Sequence, residues 1–196
     1  MSKGDTTRNQ ILRRAMSEAS RFGLEGVSIG GLAKEVGMSK SGLFAHFGSK
    51  EGLQIAILQR ASDQFTSAII RPAIALPRGE PRCVAMMENW LTWSDSKDLP
   101  GGCLFASSTF EYDDRPGPVR DTLVVHIQAL HDTLRRAAAI AVEEGHFRAD
   151  LDIDQFAFSI HSLLLGYHVQ ARLFRAPNAR EMVSGAFQTL LASARA

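Results

Sequence analysis

Apolar positions recur at helical spacing from one end of this chain to the other. No stretch sustains the strict alternation of a strand, so the pattern predicts an all-α fold of about nine helices. In the first helix Ile11, Leu12, Ala15, Ala19 and Phe22 form an inward stripe; Thr7, with Gln10 as capping-box partner, opens it and Gly23 closes it. Leu32, Ala33 and Val36 give a second, short helix one apolar face, and Gly37 breaks it. Ser39 is a good N-cap for a third, on which Leu43 and Phe47 lie four apart and share a face. Gly48 ends that helix, and Ser49 caps a fourth running from Lys50 to roughly Arg71, with Leu53, Ile57, Phe65 and Ile69 inside.

Beyond a connector punctuated by proline, RPAIALPRGEPR, an amphipathic helix runs through Trp93. SDSKDLPGG is a turn region, CLFASSTFEY a short helix, and DDRPGP a break that leaves Pro118 in the first turn of the next helix. That long helix is marked by Leu123, Ile127, Leu130, Leu134 and Ala141, and ends at Gly145. Asp152 with Gln155 opens a helix to about Ala176 that is apolar nearly all round, from Phe156 to Phe174. Asn178 and Glu181 form a cap for the last helix, whose stripe is Met182, Phe187, Leu190 and Leu191. A helix apolar on every side has to be covered on every side. Either it is the fully buried centre of a monomer, or its outer face meets a second copy. The second reading places Phe158, Ser162, Leu165, Gly166, Val169, Leu173, Met182, Phe187 and Leu190 at a homodimer interface. Ser162 and Gly166 are small enough for close helix contact.

Residues 28–50, SIGGLAKEVGMSKSGLFAHFGSK, carry the chemistry. Two short helices joined by a tight turn containing glycine make a helix-turn-helix, whose second helix enters the DNA major groove. SKSGLFAHFGSKEGL, with TTRNQILRRA and GLEGVSI before it, resembles the N-terminal domain of TetR-type repressors over roughly residues 6–58. PGGCLFASSTFEYDDRPGPVR is similar to one recurrent type of C-terminal domain in that family. The resemblance implies a helix-turn-helix DNA-binding domain at 1–50, and a helical ligand-binding and dimerisation domain at 51–196. It also implies a homodimer on a palindromic operator in double-stranded DNA, released by a small-molecule effector. The chain departs from its relatives at Glu18 and Ala19, where large apolar side chains are common, and at Phe44, where Tyr is common.

Lys40, in the first turn of the recognition helix, can donate to guanine O6 or N7, with Ser41 and Gly42 beside it. Phe44, a turn later, is placed for a thymine methyl. Thr7, Ser28, His46 and Lys50 are candidates for phosphate contacts, which position the protein without specifying sequence. Gly30 and Gly31 are costly in a helix, about 1 kcal/mol each against Ala. They allow either close approach to a phosphate or close packing on the first helix. Charge supports this division. Residues 1–50 hold eight Lys/Arg against four Asp/Glu, whereas the remainder holds 14 against 17.

An apolar effector site is expected from Cys83, Met86, Met87, Trp90 and Trp93 on one helical stripe and Phe105, Phe110 and Tyr112 on the next helix. With apolar residues at 45%, the same set also serves as plain core. Neither Cys83 and Cys103 nor His126, His131, His161 and His168 have partners at metal-ligand spacing, so no metal or other cofactor is expected. A repressor responding to thiol oxidation through Cys83 and Cys103 is the rival reading, and an α-helical enzyme a more distant one. The N-terminus MSKGDTTRNQ lacks the apolar region of a signal peptide. The longest uncharged run, Gln155 to Ala171, is too polar for a membrane span, so the expected location is cytoplasmic.

Overall fold

The computed structural model describes residues 3–196, with side chains from Thr7 onward. The helices are α1 (Lys3–Gly26), α2 (Ile29–Glu35), α3 (Lys40–Phe47), α4 (Lys50–Phe65), α5 (Arg71–Ile74), α6 (Glu80–Ser94), α7 (Leu104–Tyr112), α8 (Pro118–Glu143), α9 (Ile153–His168) and α10 (Ala179–Ala194). Two π-helical turns, Thr66–Ile70 and Val169–Leu173, extend α4 and α9. Among the described residues the only bridge of β type is the isolated pair Phe147 and Arg195. No helix among them is long and apolar enough to cross a membrane.

The chain divides into two compact units, which do not follow a boundary at residue 50. One joins the chain up to Gln64 to Ser94–Val125; the other joins Phe65–Trp93 to His126–Ala196.

In the first unit α1 supplies the central stripe. Ile11, Leu12, Ala15, Met16 and Ala19 are all buried, together with Leu32 and Ala33 of α2, Leu43 of α3, and Leu53, Ile57 and Leu58 of α4. Three serines start the three helices that follow α1. Ser28 Oγ accepts from the Gly31 N–H at 2.9 Å, Ser39 Oγ from Gly42 at 3.0 Å and Ser49 Oγ from Gly52 at 2.8 Å. Gly37 takes φ +68° in the turn between α2 and α3, a conformation that L side chains resist. Thr7 does not open α1, which begins at Lys3. Gly23 does close the regular helix: its φ of +78° and ψ of 168° are not helical, and a short separate turn follows across the kink to Gly26. The kink turns Leu24 fully inward, and that side chain fills the interior in place of Phe22, which is 61% exposed beneath the Arg21 guanidinium.

In the second unit α10 packs on α9. Phe147, Phe156 and Phe187 lie fully buried in the core, the first two rings 5.1 Å apart. Asp152 Oδ1 caps α9 through the Gln155 N–H at 2.9 Å, as its sequence signature requires. The expected single helices to Arg71 and Ala176 are interrupted by the two π turns, each of which inserts a residue into the ladder. Asn178 occupies the N-cap position of α10 without making a side-chain cap bond.

Candidate nucleic-acid interface and apolar cavity

The caps, the Gly37 turn and buried Leu43 fix which face of α3 is left outside. Lys40, Ser41 and Ala45 are exposed and Phe44 is half exposed, at 50%. With Ile29 and Gly30 of α2 they line a shallow surface concavity. Its walls are mostly apolar, with an ammonium and a hydroxyl at the edge, which suits the edge of a base pair: a methyl against Phe44 and Ala45, an acceptor before Lys40. Gly42 is half-buried because its backbone serves the Ser39 cap. Ser41 Oγ lies 3.1 Å from Ser39 Oγ. His46 is half-buried, its ring 6.1 Å from that of Phe47, over which the Arg8 guanidinium sits at 5.2 Å. Thr7 is half-buried. Ser28 Oγ accepts the α2 cap bond, which leaves its O–H as a donor.

Lys50 is less free than its sequence position suggests. Its Nζ donates to Glu25 Oε2 and to the Glu25 carbonyl, both at 2.8 Å. Glu25 is the centre of a cluster that the sequence reading missed. Its Oε1 also accepts from Gln54 Nε2 at 2.9 Å and from the Tyr112 hydroxyl at 2.8 Å. These donors, Lys50 first, hold the Glu25 carboxyl down to about 2. Burial, with the Glu25 carboxylate beside it, pushes the Tyr112 phenol well above its usual range. Glu111 completes the arrangement by accepting from the Leu24 and Glu25 N–H groups, each at 2.8 Å, just past the Gly23 kink. Together α4 and α7 thus clamp the end of α1. The available signal was a buried glutamine: Gln54, 3% exposed on an otherwise apolar face, needs partners. A second pair of acids works the other way. Burial, then a hydrogen bond to Glu35, raises the Glu18 carboxyl to about 7.

The second unit holds an enclosed apolar cavity. Phe65, Ile69 and Ile70 from the end of α4 and its π turn, Cys83, Met86, Met87 and Trp90 from α6, Leu130 and Leu134 from α8, and Ile160 and Leu164 from α9 line it. It offers about 10 Å³ to the centre of a water molecule, the room of a single water, so it is closed around its own side chains. Met86, Met87 and Trp90 of the expected set are here. Trp93 is buried but packs edge-on against Phe65, ring centres 5.5 Å apart, and does not line the space. Phe105, Phe110 and Tyr112 belong to the other compact unit, where Phe110 is exposed and Tyr112 serves Glu25. Spacing placed them on a neighbouring helix, but the fold folds that helix onto α1.

Cys83 is a core thiol pushed up to about 12 by burial, the reverse of the lowered value that makes a thiolate reactive. Cys103 is buried in the other unit. His131 Nε2 and His161 Nδ1 stand 2.8 Å apart and share a proton, and burial drives His161 down to about 4. Of the expected interface residues, Phe158, Ser162, Gly166, Leu173 and Met182 are exposed, and Leu165, Val169 and Leu190 half-buried. Phe187 is the exception: at 1% exposure it belongs to the core of the second unit, because α10 turns it onto α9.

Comparison with known proteins gives consistent matches. A family profile described as "Bacterial regulatory proteins, tetR family" matches residues 11–57, and one described as "Tetracyclin repressor-like, C-terminal domain" matches residues 79–187. The chain is 24% identical to the HTH-type transcriptional repressor ComR of Escherichia coli, covering 84% of this chain and 79% of that protein. A regulator from Saccharomonospora viridis, solved in complex with choline, superposes with a TM-score of 0.84 at 20% identity, covering 98% of this chain and 99% of that one. AibR, solved with isovaleryl coenzyme A and operator DNA, superposes at 0.74 and 21%, covering 94% and 98%.

Proposed function

Given that this chain belongs to the TetR family of bacterial regulatory proteins, and is therefore a transcriptional regulator and not an enzyme, we propose that it is a homodimeric cytoplasmic repressor. In this reading a palindromic operator holds it, and a small apolar or amphipathic molecule releases it. The observation that carries the DNA half is the outward face of α3: Lys40, Ser41, Phe44 and Ala45 stand clear of the core on a helix capped by Ser39 and Gly48. Lys40 and Phe44 contact base edges; His46, Thr7, Ser28 and Lys50 serve phosphates, Lys50 by trading its Glu25 partner for one.

The dimer half rests on Phe158 of α9, Leu173 of its π turn, Phe174 just past that turn and Met182 of α10, exposed by 59%, 74%, 65% and 48%. Large apolar side chains left exposed in this number on successive elements are the kind of surface that an interface covers. Gly166 and Gly185 leave open space where a Cβ would stand, so a partner helix can approach closely.

The effector enters the cavity on α6. Closed as it is, the cavity opens only by moving its lining, and the flexible Met86 and Met87 are suited to that. Ile69 and Ile70 lie on the π turn directly following α4, so wedging that turn outward pulls on the helix whose first residue, Lys50, adjoins the recognition helix. That regulators of this fold have been solved with choline or isovaleryl coenzyme A supports a small-molecule effector without naming this one.

Selection of genomic fragments by the purified full-length protein tests the reading. A palindromic site with half-site centres one helical turn apart or a multiple, roughly 34–36 Å, is expected. Retention of fragments without a shared sequence would overturn it.

A further inference from the structure

The adjacent glycines of α2 have different causes. At Gly31 an added Cβ would stand 2.8 Å from Ser28 Oγ, the atom that caps the helix by accepting from the Gly31 N–H. At Gly30 the three nearest atoms to an added Cβ all belong to Lys40: Cε at 2.8 Å, Nζ at 3.4 Å and Cδ at 3.9 Å. Packing on α1 therefore explains neither. The end of the Lys40 side chain crosses from α3 to α2 and lies in the space that a side chain at position 30 would fill, on the wall of the concavity that Ile29, Ser41, Phe44 and Ala45 complete.

We propose that Gly30 is a specificity-determining position of the DNA interface that acts through Lys40, by leaving the seat from which the Lys40 ammonium approaches a base edge. The inference rests on α3 being the recognition helix. A lysine stem has several rotatable bonds, and a seat that restricts them reduces the ordering cost of binding and selects one direction of approach. The seat is not a trap. It lies in the first turn of α2, where the helix dipole disfavours a cation, so the ammonium gains by moving onto an acceptor on DNA. A methyl at position 30 would displace only the end of a flexible chain. It would leave the fold intact and the positive charge in place, yet redirect it.

The test uses the full-length chain and a randomised pool of double-stranded DNA. Four proteins enter selection and salt titration: wild type, Gly30→Ala, Lys40→Ala and the double variant. We expect Gly30→Ala to raise Tm by about 2–4 °C, because Ala is the better helix former. We also expect it to weaken discrimination by at least about fivefold at the base pair that Lys40→Ala also relaxes. The salt slope stays as in wild type, since no charge is lost. In the double variant Gly30→Ala adds nothing to Lys40→Ala. If Lys40→Ala relaxes a base pair and Gly30→Ala leaves that preference unchanged, the inference is overturned and the recognition helix stands. If Lys40→Ala relaxes none, the assignment of α3 fails and takes this inference with it. If the double variant loses further discrimination, Gly30 acts on its own and not through Lys40.

Discussion

The two candidate sites are built in opposite ways. The nucleic-acid interface comes from one run of sequence, Ser28 to Lys50, in which three serine caps and two left-handed glycines, Gly37 and Gly48, set the backbone and expose the side chains that matter. The cavity draws on four separated stretches, 65–70, 83–90, 130–134 and 160–164, and most of the side chains that line it are buried, Phe65, Ile70 and Leu130 being half-buried. A surface site made by local rules separates binding from stability. A buried site made by tertiary packing joins them, so a residue that lines the cavity is also a residue that holds the unit together.

The largest effect is expected at the surface that belongs to neither site. Leu173→Glu places a charge in the exposed patch of the second unit, where an unpaired charge in a dimer interface is strongly unfavourable. Sedimentation should fall from about twice 21.4 kDa to that mass. Operator affinity should drop by about 10²–10⁴-fold as the two half-sites cease to be bound together. An unchanged dimer would remove α9 and its π turn from the interface.

Next in size comes a direct contrast of the two sites. Leu164→Ala, in the cavity wall, should cost about 2–5 kcal/mol in denaturant unfolding. Lys40→Ala should cost within about 0.5 kcal/mol of nothing, because the residue is exposed. Equal losses would erase the distinction.

On DNA the order reverses. Lys40→Ala should lower specific affinity by about 1–3 kcal/mol and relax base preference, whereas Lys50→Ala weakens binding to all sequences and reduces the salt slope by about one. Binding selections together with salt titrations decide it. A change of preferred sequence with Lys50→Ala alone would reverse the assignment.

The smallest effect concerns the acid pair beside α2. The Glu18 carboxyl is raised in the folded protein from 4.5 to about 7. Between those values the native state binds the extra proton, so its contribution is fully present below about 4.5 and is lost as pH rises through 7. Glu35→Gln removes the neighbouring charge. It should raise Tm at pH 8 and flatten the profile between pH 5 and 8. A profile identical to wild type would show that the two acids do not interact.

The same contrast explains what was legible. The caps at Ser39, Ser49 and Asp152 and the turn at Gly37 were readable because each is satisfied within a few residues; the Ser28 cap obeys the same rule but was not read. Gly23 was legible as a stop, but what holds the turn beyond it was not: Glu111, 87 residues from Leu24, accepts from the Leu24 and Glu25 N–H groups. Phe22 looked apolar and inward until that kink gave its place to Leu24. Trp90 was found through its stripe, yet Phe65, Leu130 and Ile160, which meet it across the cavity, lie on three other segments that no spacing rule connects. Tyr112 was taken for the cavity because its ring is apolar. Its hydroxyl, committed to Glu25, is what places it.

The most direct test joins the two sites. Trp90 and Trp93 are the chain's two tryptophans and both sit on α6, so quenching of their fluorescence reports the cavity side alone. Compounds that saturate this signal should be titrated with and without the selected operator, and the operator with and without each compound. The account predicts that a true effector weakens operator binding, about a hundredfold for roughly 2.7 kcal/mol of coupling, and that operator weakens the effector by the same factor. Saturation of the tryptophan signal with operator affinity unchanged would contradict it.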